Sequence, residues 1–187
     1  MIRERLVHLV ADWLPDRRSL VLVFGSAAFL TYTWTVLVSF WKIPSWLFFL
    51  NVSQIFSIYA YSFLVNLIES ILLTAVAIFL RGIVPGSWWK ADFVPLSVIT
   101  FAGIVAGLNV WIRQYDPSFT PRAFLDGQFG WIMAVSVSLL ALTYLFHKIG
   151  FLKNAAAAFA DRTVIFLYIY LPVTALSVVA IALRAWL

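Results

Sequence analysis

Residues 51–80, NVSQIFSIYAYSFLVNLIESILLTAVAIFL, contain no Gly, no Pro and no basic residue. At about 1.5 Å per residue such a stretch, if helical, is longer than the roughly 30 Å apolar layer of a bilayer. Little other than a membrane-spanning helix accommodates it. One carboxylate, Glu69, lies inside it, and no other predicted span holds an acid.

The helical period divides this stretch into two faces. At about 100° per residue, Gln54, Tyr61, Ser62, Asn66 and Glu69 share an arc of roughly 140°. Phe56, Phe63, Leu67, Ile71 and Ile78 lie off that arc, which itself turns apolar at Leu72, Leu73 and Val76. A polar stripe in an apolar helix is expected to face other helices or a wet cavity. The expectation is therefore that the remaining helices pack around this one.

Composition agrees with a membrane protein. The chain is 64% hydrophobic and 11% charged, against about 45–50% and 25% for a soluble domain. It has no cysteine, which excludes disulfides, thiolate metal sites and Cys nucleophiles. The net charge of +5 comes from cations scattered over the loops. It is read as membrane topology and attraction to anionic headgroups, not as nucleic-acid binding.

The expected fold class is all-α, a polytopic membrane protein with five transmembrane helices and an N-terminal amphipathic interfacial helix. The arm is residues 1–19, where Ile2, Leu6, Val10, Trp13 and Leu14 recur near helical spacing beside Arg3, Arg5, Arg17 and Arg18. A single five-helix domain, residues 20–187, follows. Its spans are expected at about 20–41, 52–80, 93–111, 131–146 and 163–183. Lys42-Ile43-Pro44 is expected to break the first, leaving residues 45–50 as an interfacial extension of the second. Residues 148–162 read as a second amphipathic connection, and Pro172 as a kink. Gly103 and Gly107 form a small-xxx-small patch that permits close helix contact.

Cation counting orients the chain. One side carries nine Lys/Arg (Arg3, Arg5, Arg17, Arg18, Arg81, Lys90, Lys148, Lys153, Arg162) and the other four (Lys42, Arg113, Arg122, Arg184). The positive-inside rule then places the N-terminus in the cytoplasm and the C-terminus outside, in a multi-pass cell-membrane protein.

The sequence argues against catalysis. No HExxH, glycine-rich phosphate loop or GxSxG is present. The isolated acids do not make a metal cluster. His8 and His147 lie near span ends, where solvated interfacial histidines are expected and paired haem ligands are not. No cofactor and no metal are expected.

Two candidate sites remain. The first is the stripe around Glu69. A mid-helix charge costs about 2.5–3.5 kcal/mol on the insertion scale. The sixteen Val, Ile, Leu and Phe of residues 52–80 outweigh it, so insertion alone demands no role for the acid. The plain structural reading is a neutral carboxyl hydrogen-bonded to a neighbouring helix. The functional reading starts from the cations, which all lie in loops or at span ends. Glu69 must then be neutral, reach water, or meet a cation from a partner or ligand. The second candidate is the loop of residues 113–130, where Arg113, Asp116, Arg122 and Asp126 could form local ion pairs among Pro and Phe residues.

No motif identifies a family. The layout, with five spans, the N-terminus inside and interfacial helices, is similar to the membrane regions that precede extracellular alkaline-phosphatase-like domains in lipoteichoic-acid-synthase-type enzymes. The resemblance is one of topology, and no catalytic residue carries over. The expected function is a non-catalytic integral membrane subunit or scaffold. Its partners would be the lipid bilayer and a membrane protein or a second copy of itself. The alternative is a small transporter or channel component using a polar site near Glu69.

Overall fold

The computed structural model describes residues 14–84, 87–114 and 121–186. These form α1 (Arg17–Phe49), α2 (Val52–Ile83), the short α3 (Ser87–Ala91), α4 (Phe93–Gln114), α5 (Pro121–Lys148) and α6 (Gly150–Thr163). A single 3-10 turn (Val164–Phe166) leads into α7 (Leu167–Trp186). The chain is a helical bundle, with no strand among the described residues. Four helical stretches are long and apolar enough to cross a membrane: Arg17–Phe49, Val52–Ile83, Phe93–Val110 and Gly150–Arg184. The apolar part of α5, Ala134–Lys148, is shorter.

The amphipathic arm falls largely on residues 1–13, outside the described residues. Arg17, Arg18 and Ser19 already belong to α1. Its N-cap is Asp16, whose carboxylate accepts the Ser19 backbone N–H at 3.1 Å. Hydrogen bonds from Ser19 hold that carboxyl below its ordinary pKa.

The expected break at Lys42-Ile43-Pro44 does not occur, because α1 runs through Pro44 to Phe49. Proline removes only one N–H and so one intrahelical bond, and in an apolar setting ending the helix there would leave more backbone groups unmet than continuing through the gap. The break falls instead at Leu50 and Asn51. Leu50 turns extended, its N–H still reaching the Trp46 carbonyl at 2.7 Å. Asn51 then caps α2 reciprocally with Gln54: each backbone N–H donates to the other's side chain at 2.9 Å. Residues 45–49 therefore extend α1, not α2.

The hub of the bundle is α1 rather than α2. It packs against α2, α4, α6, the 3-10 turn and α7, and buries Val23, Gly25, Ser26, Ala27, Ala28, Thr31 and Tyr32. The physical cause is side-chain size. The Gly25-Ser26-Ala27-Ala28 run lets neighbours approach closely, and a Cβ on Gly25 would lie 3.0 Å from the Val164 Cα. On α2, only Asn66, Ser70 and Ala77 are buried.

Hydroxyls mark the register. Thr31 meets Ser70 at 3.0 Å and Thr35 meets Asn66 at 2.9 Å, so α1 and α2 are antiparallel. Ser26 meets Thr163 at 3.4 Å and Tyr32 meets Thr174, so α6 and α7 run parallel to α1. Thr100 meets Thr143 at 3.4 Å and Gly103 abuts Leu139, which makes α4 and α5 antiparallel. Rings pack between these helices: Tyr32 stacks on Phe63 at 5.7 Å and on Tyr170 at 4.6 Å.

The supposed connection of residues 148–162 is α6, which buries Ala156 and Ala160 beside Val98 and continues into α7. Its small alanines let it join the bundle instead of lying apart from it. Pro172 sits inside α7.

Candidate functional site

Between α2 and α4 the bundle opens. These two helices scarcely touch each other, while both pack on α1. The result is a groove of about 560 Å³ with α1 as its floor. Thr31, Trp34 and Thr35 come from α1, Tyr61, Ser62, Asn66 and Glu69 from α2, and Asn109 from α4. Leu72, Leu73 and Val76 with Ile104, Val105 and Leu108 supply apolar walls. Four of the five stripe residues thus line one cavity. Gln54 does not, since its side chain is committed to the cap of α2. Helical periodicity alone cannot separate a capping residue from a face.

The polar groups here differ from those elsewhere in the bundle. Most buried hydroxyls donate back to a carbonyl one turn earlier: Ser70 to Asn66 at 2.6 Å, Thr100 to Leu96 at 2.8 Å and Thr143 to Leu139 at 2.6 Å. By contrast, the side chains of Tyr61, Ser62, Glu69 and Asn109 make no hydrogen bond or ion pair among the described residues. Asn66 is 3% exposed. Its amide oxygen accepts from Thr35 at 2.9 Å, while its amide nitrogen has no partner among the described residues. Exchanging the two amide atoms would move the vacancy to the oxygen without filling it. Glu69 itself is exposed to the groove. The site therefore offers a carboxyl group, two hydroxyls, the Asn109 amide and the open nitrogen of the Asn66 amide between apolar walls.

Sequence reading missed Trp34, Thr35 and Asn109 at this site. Asn109 is the only side-chain amide within the predicted third span, a signal that was available. Trp34 and Thr35 needed the position of α1.

Gly103 and Gly107 face α5. A Cβ on Gly103 would fall 2.3 Å from Leu139 Cδ2, and one on Gly107 3.4 Å from Val135 Cγ1. The outer-loop candidates divide differently. Asp116 lies outside the described residues. Arg113 falls in α4, and Arg122 and Asp126 fall in α5, which begins at Pro121 within the supposed loop. Proline suits a first helical position because its missing N–H has no intrahelical acceptor there. The side chains of these three also lie outside the description.

A second polar cluster was not anticipated. Asp92, between α3 and α4, receives Lys153 Nζ of α6 at 2.9 Å, and the same oxygen lies 2.8 Å from His147 Nδ1 at the end of α5. His147 is therefore held in a half-buried cluster rather than freely solvated. Among the described residues, no group of three or more His, Cys, Asp or Glu could hold a metal ion. In comparisons with protein-family models, curated proteins and solved structures, nothing matches this chain.

Proposed function

We propose that this chain is a non-catalytic integral membrane subunit, and that the groove between α2 and α4 is where a partner membrane protein docks. One observation carries the reading: the side chains of Tyr61, Ser62, Glu69 and Asn109 and the amide nitrogen of Asn66 converge on one cavity without partners among the described residues. Polar groups in an apolar medium are costly when unmet, so an occupant that meets them is favoured there. In this reading α5 is the fifth crossing, because it runs antiparallel to α4 from Gly107 back to Thr100. The cation count supports a cytoplasmic N-terminus and an extracytoplasmic C-terminus.

The volume of the groove, within the range of small-ligand sites, favours a second reading as a transporter or channel component. Purification in mild detergent separates the two. A stable hetero-complex that Ser62→Trp dissociates supports the subunit. A monomer or homo-oligomer with Glu69-dependent flux in liposomes supports the transporter. A reporter active only outside the cell should work fused after Leu187 and fail at Lys90; the reverse pattern overturns the five-crossing arrangement.

A further inference from the structure

We infer that the occupant of the groove is a partner transmembrane helix carrying a lysine or arginine at mid-span, paired with Glu69. The inference rests on the subunit reading and adds the chemistry of the partner.

Three features lead to it. Glu69 sits 17 residues from the start of α2 and 14 from its end, roughly 21–25 Å from either terminus at 1.5 Å per residue. A cationic lipid headgroup stays at the membrane surface, well short of that depth. A partner helix delivers a cation there directly. Second, the cations of this chain cluster toward helix ends and connections, as with Arg17, Lys42, Arg81 and Lys90. A second copy facing the groove would bring another Glu69, not a counter-charge. Third, the lined part of α2 extends from Tyr61 to Val76, about 22 Å of helix, with apolar residues of α2 and α4 along it. A small amine would meet only the surroundings of Glu69. A helix would cover the whole length, set its cation on the carboxylate, and let a neighbouring polar side chain reach the open end of the Asn66 amide.

The pairing also answers a problem on both sides. A lone lysine at mid-helix carries an insertion cost similar to that of a lone acid. Bringing the two together in one groove replaces two unmet charges by one hydrogen-bonded pair.

The test uses the full chain reconstituted in phosphatidylcholine vesicles with labelled synthetic helices of about 22 Leu/Ala residues. The central residue of the helix is Lys, Leu or Glu, and association is read by energy transfer. The lysine helix should bind roughly tenfold more tightly than the leucine helix. Glu69→Gln should abolish that difference, and Glu69→Lys should shift the preference to the glutamate helix. The charge reversal keeps the test decisive even if Glu69→Gln perturbs the fold. Equal binding of the lysine and leucine helices overturns the inference. If Leu108→Trp then weakens both, helices still dock in the groove and only the charge pairing falls. If the lysine and leucine helices bind equally and Leu108→Trp weakens neither, the helices do not use the groove and the subunit reading falls with the inference. Glu69-dependent binding of n-butylamine, with no preference for the lysine helix, overturns the inference in favour of a site for soluble amines.

Discussion

Thr35 of α1 donates a 2.9 Å hydrogen bond to the amide oxygen of Asn66 on α2, one helical turn from the 3.0 Å contact between Thr31 and Ser70. The two contacts fix the antiparallel register of α1 and α2 and form the floor of the groove. Thr35→Val keeps shape and removes the donor. Hydrogen bonds between membrane helices are worth about 0.6 kcal/mol on average and up to about 1.7. Thr35→Val should therefore lower unfolding stability in detergent by about 1 kcal/mol, and a Thr31→Val, Thr35→Val double variant by more. Equilibrium unfolding in sodium dodecyl sulfate measures both; no loss in the double variant would show that packing alone sets the register.

Glu69 should behave oppositely. It has no partner among the described residues of the isolated chain, so removing it sacrifices no internal contact. Glu69→Leu is expected to leave the purified protein as stable as before or to raise its stability, by about 0.5–2 kcal/mol as favourable surface changes go. The same unfolding assay decides this. A clear loss would reveal an internal role that the groove geometry does not provide.

The two glycines of α4 should separate. At Gly103 even an alanine Cβ must displace Leu139, whose Cδ2 lies 2.3 Å away. Gly103→Leu should cost about 1–3 kcal/mol by overpacking. At Gly107 the corresponding contact is 3.4 Å, so Gly107→Ala should be neutral or stabilising, since alanine is the better helix former by about 1 kcal/mol. Thermal melts of both variants check the order; equal effects would contradict the α4–α5 contact.

Asp92 holds α4, α5 and α6 together at one end of the bundle through Lys153 and His147. Asp92→Asn should destabilise by about 1–3 kcal/mol, the scale of hydrogen bonds to charged groups. Lys153→Met should cost less when combined with Asp92→Asn than it does alone, because the two side chains share one interaction. A double-mutant cycle gives the coupling; strict additivity would mean the pair contributes nothing.

Asp16 gives a pH dependence with a definite sign. Its folded pKa lies below the ordinary value near 3.8, chiefly through hydrogen bonds from Ser19. A lowered carboxyl pKa contributes stability above the unfolded value, and loses it as pH falls through the folded one. The first turn of α1 should loosen only below about pH 4, and Asp16→Asn should flatten this response. NMR of the Asp16 carboxyl against pH reads it directly; a midpoint at or above the ordinary value would contradict the cap.

Hydropathy and the 100° period made much of this legible. The long apolar stretches appear as helices, and Tyr61, Ser62, Asn66 and Glu69 do share one cavity. What stayed hidden depends on neighbours. Gln54 satisfies the period of the stripe but serves the cap of α2, and Pro44 reads as a breaker but sits within α1. The hub is set by Gly25-Ser26-Ala27-Ala28, whose small side chains control how closely helices approach but make no polar or apolar pattern that hydropathy registers. Asp92 and Lys153 lie 61 positions apart, beyond the reach of any local pattern.

The placement of α1 at the centre has a consequence for biogenesis. Three of its contacts, Ser26 with Thr163, Tyr32 with Thr174 and Thr33 with Tyr170, join residues more than 130 positions apart. Synthesis makes α1 well before α6 and α7, and partners so distant in sequence are slow to meet. Until they arrive, the helix that later becomes the interior presents Ser26, Tyr32 and Thr33 to whatever surrounds it. The hairpin of α1 and α2 can close early, but one flank stays open until synthesis of α7. A chain lacking α6 and α7 would therefore leave the Ser26, Tyr32 and Thr33 face of α1 without these partners.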